Sequence, residues 1–301
     1  MIRPLVAAAL ACLAQIASAE PTSILIFAGP PSGWIKEYDL QGAYVRDVIP
    51  ARAFSAPQYG AFGPDGVLYV SSFTTHRVGK FDLDGNFLGD LVPNDGVVLG
   101  KTFLTIRNDE LIVSGSNNGA IGVYDLATGA YKRNLVEEGI VSGAHTVLWL
   151  DSGEMLVTDI ITNSIRRFAS DGTYIDDFSA DPILAQPAGM ELSPDGNSLY
   201  VSNFTNGQIN EFDLATGDLI GQLFQAGTAA DDLTYGPDGK LYAASYGTNS
   251  IYRYDFDAGS AEVFIDGTTG LRGPNSVLFI PAPGAMFTIA LPGALMLRRR
   301  R

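Results

Sequence analysis

Of the two histidines in this chain, His145 is the candidate general base: imidazole titrates near neutrality, and Asp231 or Asp232 could orient it. It belongs to a set at nearly fixed spacing, Gln58, Lys101, His145, Ala188, Asp231 and Asn275. Five of these six are polar, and a ring of such groups around a channel mouth would form a small-molecule or ion site. Asp231 and Asn275 are the candidate metal ligands. Two oxygen donors fall short of the about 6 to 8 that calcium takes, and Lys101 in the same ring would repel the ion. The expectation is therefore a hydrogen-bonded lining with no cofactor, with one divalent cation such as calcium as the alternative. For His145 the competing reading is a strand residue bonded to neighbouring backbone, which a histidine without a visible triad favours.

What must position these residues is a repeat. Short apolar runs anchored at Leu25, Leu68, Leu111, Leu156, Leu199 and Leu241 recur at intervals of 43, 43, 45, 43 and 42 residues, the period of a propeller blade. Each unit predicts four strands. A Pro-Asp-Gly turn (Pro64 to Gly66, Pro194 to Gly196, Pro237 to Gly239) leads into a buried second strand such as Leu68-Tyr69-Val70. A polar hairpin, an alternating third strand and a last turn such as Ala127-Thr128-Gly129 follow. Complete units begin near Gln58, Lys101, His145, Ala188 and Asp231. Ser23 to Ile49 holds only the last three strands of a unit, and Pro274 to Ile280 only a first strand. Together they make the sixth blade, so that N- and C-terminal segments share one sheet and close the ring. The predicted fold is all-β, a closed six-bladed β-propeller.

Other residues read as structure. His76 occupies a turn position held elsewhere by Gly119, Asn163, Gly207 and Asn249, which suits positive φ. Asp82-Leu83-Asp84-Gly85-Asn86 resembles a calcium loop but lacks a following bidentate acid, so a turn is expected. Phe73, Phe204 and Tyr246 recur before the hairpin; packing between blades is the favoured reading, a carbohydrate platform or protein-binding rim the other.

The chain ends carry their own signals. Arg3, an apolar run from Leu5 to Leu13 and the small residues Ala17-Ser18-Ala19 read as a secretory signal peptide over 1–19, cut between Ala19 and Glu20. The single cysteine, Cys12, lies within it, leaving the domain at 20–280 without a thiol. At the other end, Gly284 to Leu297 is uncharged and mostly apolar, followed by Arg298, Arg299, Arg300 and Arg301. As a helix this stretch would span only ~21 Å against a ~30 Å hydrocarbon core, and the arginines favour the cytoplasmic side. Residues 20–280 carry 14 Lys and Arg against 33 Asp and Glu, a net charge of −19, which disfavours nucleic acid and anionic lipid as partners.

Two resemblances follow from these residues. The period and the "PDG" then "LYV" pattern over 23 to 280 resemble NHL-type propellers and the related gluconolactonase-like family. The latter implies a divalent-metal lactonase or, more widely, a propeller lyase, with Pro274-Asn275-Ser276 and Asp231 matching part of its metal site. The tail at 281–301 resembles the bacterial PEP-CTERM sorting signal read by an exosortase, with Pro281-Ala282-Pro283 where that family has Pro-Glu-Pro. Processing would then fall near Pro281, with the tail in the membrane beforehand; a plain tail anchor is the alternative. The sequence thus points to an exported propeller of a bacterial envelope, surface or matrix. Its partners would be the export machinery, an exosortase-type enzyme and a small molecule, glycan or protein at the mouth face. Binding or scaffolding is favoured over hydrolase or lyase chemistry.

Overall fold

The structure, a computed structural model, describes residues 21–30 and 33–281; the signal-peptide reading over 1–19 and the sorting tail beyond Pro281 lie outside these residues. Twenty-four strands, numbered β1 to β24 in chain order, form six four-stranded antiparallel sheets. Blade 1 has the order β24 (Pro274–Ile280), β1 (Ser23–Ala28), β2 (Trp34–Tyr38), β3 (Tyr44–Ile49). Blades 2 to 6 follow in sequence, with first strands β4 (Pro57–Phe62), β8 (Lys101–Arg107), β12 (Ala144–Trp149), β16 (Pro187–Leu192) and β20 (Ala230–Tyr235). The ring closes as the repeat predicted: β24 pairs with β1 from Ser23 opposite Ile280 to Ala28 opposite Pro274.

The second strands explain the core. These are β1, β5 (Leu68–Ser72), β9 (Glu110–Gly115), β13 (Met155–Asp159), β17 (Ser198–Asn203) and β21 (Leu241–Ser245). A strand in the middle of a blade faces a neighbouring blade on each side, so both of its side-chain sets are buried. β1 and β5 are buried along their whole length. The buried apolar residues accordingly separate into six clusters, one at each joint between blades. Ile24, Tyr38, Tyr242 and Ile251 hold blade 6 to blade 1, and Leu25, Phe27, Val70 and Phe81 hold blade 1 to blade 2.

Outer strands are instead exposed over most of their length, as in Tyr44–Ile49, where only the last two residues, Val48 and Ile49, are buried. The turn before an outer strand also packs against the previous blade. At Gly129, φ is +72° and a Cβ would lie 1.9 Å from the Leu91 carbonyl oxygen, so this approach admits only glycine. Gly85 stands in the same relation to Val48.

Candidate functional site: the mouth of the central channel

One recurring device sets the mouth. Near its start each of β4, β8, β12, β16 and β20 slips register against its second strand, as between Pro57 opposite Ser72 and Gly60 opposite Val70. Such a bulge re-aims a side chain and leaves a backbone N–H without its ladder partner. In three blades a second-strand hydroxyl takes up that N–H: Tyr59 N donates to Ser71 Oγ (3.1 Å), Thr146 N to Thr158 Oγ1 (2.9 Å) and Gly189 N to Ser202 Oγ (2.8 Å). These hydroxyls donate in turn to a carbonyl of the next blade. Ser71 bonds Thr102 O (2.5 Å), Thr158 bonds Ala188 O (2.9 Å) and Ser202 bonds Asp231 O (2.7 Å); Ser114 reaches His145 O in the same way. Between blades 1 and 2 the hydroxyl comes from Ser276, which donates to Gln58 O at 2.7 Å. Five of the six mouth residues are thus held by a neighbour's hydroxyl.

The carbonyls so held, with Asn275, define the inner ring as Gln58, Thr102, His145, Ala188, Asp231 and Asn275, all lining one cavity of about 340 Å³. Five of these are the residues that the spacing singled out. Lys101 is not among them. The turn in blade 3 is Asn108-Asp109, both at positive φ, and it is one residue shorter than the Pro-Asp-Gly turn: Ile106 pairs with Leu111, whereas Phe62 pairs with Leu68. Counting back from Leu111 therefore overshoots by one, and Thr102 takes the mouth position. Lys101 is fully buried away from the cavity, its Nζ donating to Val98 O (2.7 Å), 3.5 Å from Asp95 and 6.0 Å from the Tyr124 ring centroid. Burial pulls its pKa down and Asp95 opposes that shift.

An outer ring sits at the rim, one residue beyond each second strand. Phe73, Ser116, Ile160, Phe204 and Tyr246 each donate a backbone N–H to the residue before the first strand, at 2.9–3.1 Å, and all five line the cavity. The three aromatics were expected in the packing between blades. They are instead half-buried on the cavity wall, because the chain has already left the sheet where they occur. Phe204 and Tyr246 lie 6.0 Å apart, and the Tyr246 hydroxyl donates to Pro30 O at 2.6 Å. Three non-glycine residues at the strand entries, Ala56, Gln186 and Ala229, have φ of +46°, +55° and +54°. Strain of that kind costs about 1 kcal/mol or more per residue and concentrates at functional sites.

The inner ring is asymmetric. His145 in blade 4 and Asp231 in blade 6 reach each other across Ala188 of blade 5, whose methyl group leaves the space between them. His145 Nε2 lies 3.1 Å from Asp231 Oδ1, but off the line of a hydrogen bond, so this buried oxygen has no directed donor among the described residues. Asp231 Oδ2 accepts from Asn275 Nδ2 at 2.5 Å. Asn275 Oδ1 accepts the Gly29 N–H at 2.6 Å, and since an N–H can only donate, this fixes which way the amide points. Asp232 faces the other way. Its Oδ1 accepts from the Tyr59 hydroxyl (2.7 Å) and its Oδ2 from Val277 N (3.1 Å). Tyr59 is 6% exposed and packs edge-on against Phe103 and His145, at 5.4 and 6.0 Å. Burial pushes the Asp232 carboxyl up to about 8, and burial beside Asp232 keeps the Tyr59 hydroxyl protonated.

The donors do not fit a divalent cation. Asn275 turns its oxygen to Gly29 and its amide hydrogens to Asp231, and among the described residues no three His, Cys, Asp or Glu converge to hold a metal. His76 is a turn residue at φ +54°, and its Nδ1 accepts from Gly100 N at 2.8 Å, as Asn163 Oδ1 accepts from Gln186 N. Asp82 caps its own turn through Asp84 N and Asn86 N. Among the described residues no helix is long and apolar enough to cross a membrane.

Ring, joints and mouth define a six-bladed β-propeller with an open, ligand-sized cavity on one face. Among solved structures, a similar chain is found in the crystal structure of the nidogen/laminin complex, at TM-score 0.70 and 16% identity over 85% of this chain and 97% of that one. A likeness at that identity carries the fold alone. No family model matches the sequence, and no curated protein matches it.

Proposed function

We propose that this protein is an exported binding module that takes up its ligand at the channel mouth. The observation that carries the reading is the cavity itself: buried polar side chains at its base, aromatic rings at its rim and left-handed backbone at its entries, built at the expense of strain and of a carboxylate oxygen with no directed donor among the described residues. The blades are taken to be of the NHL type. The leader at 1–19 would deliver the chain across the membrane, and the tail at 281–301 would sort it to the envelope, surface or matrix of a bacterium.

A thermal-shift screen of glycans and small molecules tests the binding role, with Phe204→Ala as the control. Ligands that raise the melting temperature of the parent and not of the variant support it; a shift that survives Phe204→Ala, or none across the screen, overturns it. Intact-mass measurement on native material tests the export reading. A chain still ending at Arg301 would favour a plain anchor over sorting-coupled cleavage.

The His145–Asp231 contact supports a second reading, metal-independent hydrolase or lyase chemistry with His145 as base and Asp231 orienting it. Turnover of a lactone, ester or polysaccharide that disappears in His145→Gln would move the assignment to an enzyme.

A further inference from the structure

We infer that the ligand recognised at the mouth carries a primary ammonium group, which Asp231 Oδ1 receives while the attached carbon chain lies against the aromatic rim. This rests on the reading of the mouth as a binding site. Three independent observations converge on it. Asp231 is 2% exposed and lines the cavity, yet its Oδ1 has no directed hydrogen-bond donor among the described residues. A buried carboxylate oxygen left in that state is costly, and a ligand bringing both a positive charge and N–H donors relieves it. Second, among the described residues no lysine or arginine lines the cavity; the one lysine that the spacing placed there, Lys101, is turned away to Val98 and Asp95. Gln58, Asn275 and Gln186 on the lining are amides without formal charge, and Asp231 is the one carboxylate among the described lining residues. Third, Phe73, Phe204 and Tyr246 stand above it on the same cavity wall, where ring faces attract a cation and cover its alkyl portion.

The two other donors near Asp231 leave room for this role. Asn275 occupies Oδ2 and is itself fixed by Gly29, so it cannot swing to cover Oδ1. His145 approaches Oδ1 from the side. A primary amine is favoured over a quaternary one because only the former can donate to the free oxygen.

Isothermal titration of the full chain with n-butylammonium and with neutral n-butanol tests the inference. The ammonium is expected to bind at least tenfold more tightly than the alcohol. Asp231→Asn should remove that tenfold difference, and Phe204→Leu should weaken ammonium binding by about two- to fivefold through loss of the ring face. Equal affinities for the two probes, or an ammonium affinity unchanged in Asp231→Asn, overturn the inference. Should the alcohol match the ammonium and both weaken in Phe204→Leu, the mouth binds small molecules but not by charge. No binding of either probe rejects both this inference and the binding reading on which it rests.

Discussion

Single hydroxyls do as much as the charged groups to build this site. Ser202 is fully buried; its Oγ accepts from Gly189 N and donates to Asp231 O, so it satisfies a bulge and holds the next blade's mouth residue. Ser202→Ala strips a partner from two buried backbone groups and is expected to destabilise the fold by about 2 kcal/mol, read as a lower urea midpoint at unchanged slope. A change within the ~0.5 kcal/mol typical of surface sites would refute the role given to the hydroxyl. At this scale the sequence was partly legible. Gln58, His145, Asp231 and Asn275 come to one cavity because their spacing follows the blade period. Thr102 was missed because one turn lost a residue, and a comparison of turn lengths, Asn108-Asp109 against Pro64-Asp65-Gly66, would have found it. The Ser or Thr after the valine in "LYVSS", "LIVSG", "MLVTD" and "LYVSN" was an available signal for the hydroxyl chain. Tyr59 gave none, since an aromatic residue in a strand reads as ordinary core.

Among the elements, β24 has the most consequence for its length. It supplies the inner strand of blade 1, carries Asn275 and Ser276, and brings Val277 to Asp232. Removing residues 270 to 280 would bare the inner edge of β1 and open the apolar cluster shared by blades 6 and 1. The truncated protein is expected to aggregate and to lose its cooperative melting transition; a monodisperse product with the parent's melting temperature would contradict closure by this strand. The hairpins were readable from their Gly, Asn and Asp turns, and the closure because a half-blade at either end has no other partner. The side-chain direction at the rim was not. Phe73, Phe204 and Tyr246 follow the last paired residue of their strands, and period-2 reasoning does not extend past the end of a sheet.

For the whole molecule the acidic balance and the buried carboxyls act in opposite pH ranges. Asp232 titrates near 8 when folded and near 4 when unfolded, so folding keeps a proton that the unfolded chain has released. Its contribution is fully present below about pH 4 and is lost as pH rises through about 8. Glu191, raised to about 7 by desolvation, acts in the same direction. Glu110, bonded to Arg133 and Lys132, and Asp195, bonded to Ser193 and Asn197, are both lowered to about 2, so their contributions are lost as pH falls from about 4 to 2. Stability is therefore expected to peak near about pH 4 to 5 and to decline toward pH 8, against the common maximum nearer neutrality. Urea midpoints across pH 3 to 9 check this. Asp232→Asn should flatten the decline on the alkaline side, and an unchanged slope would show that Asp232 does not carry it. The acidity was plain from composition; which acids are buried was not, because burial depends on the ring being closed.

The joint between blades 6 and 1 differs from the others in one respect. Where blades 2 to 5 place Ser71, Ser114, Thr158 and Ser202, blade 6 has Ala244, and this joint is instead clasped by Asp231 to Asn275 and Asp232 to Val277. The ring therefore has a latch as well as rivets. A hydroxyl keeps its two partners at any physiological pH, whereas the buried Asp232 carboxyl takes on an unfavourable charge when it loses its proton. As pH rises toward 8 the ring should begin to breathe at this joint first, with the amides of β24 and β1 exchanging ahead of the rest. An occupant bound to Asp231 would sit on the latch, and occupancy of the mouth would hold the circle shut.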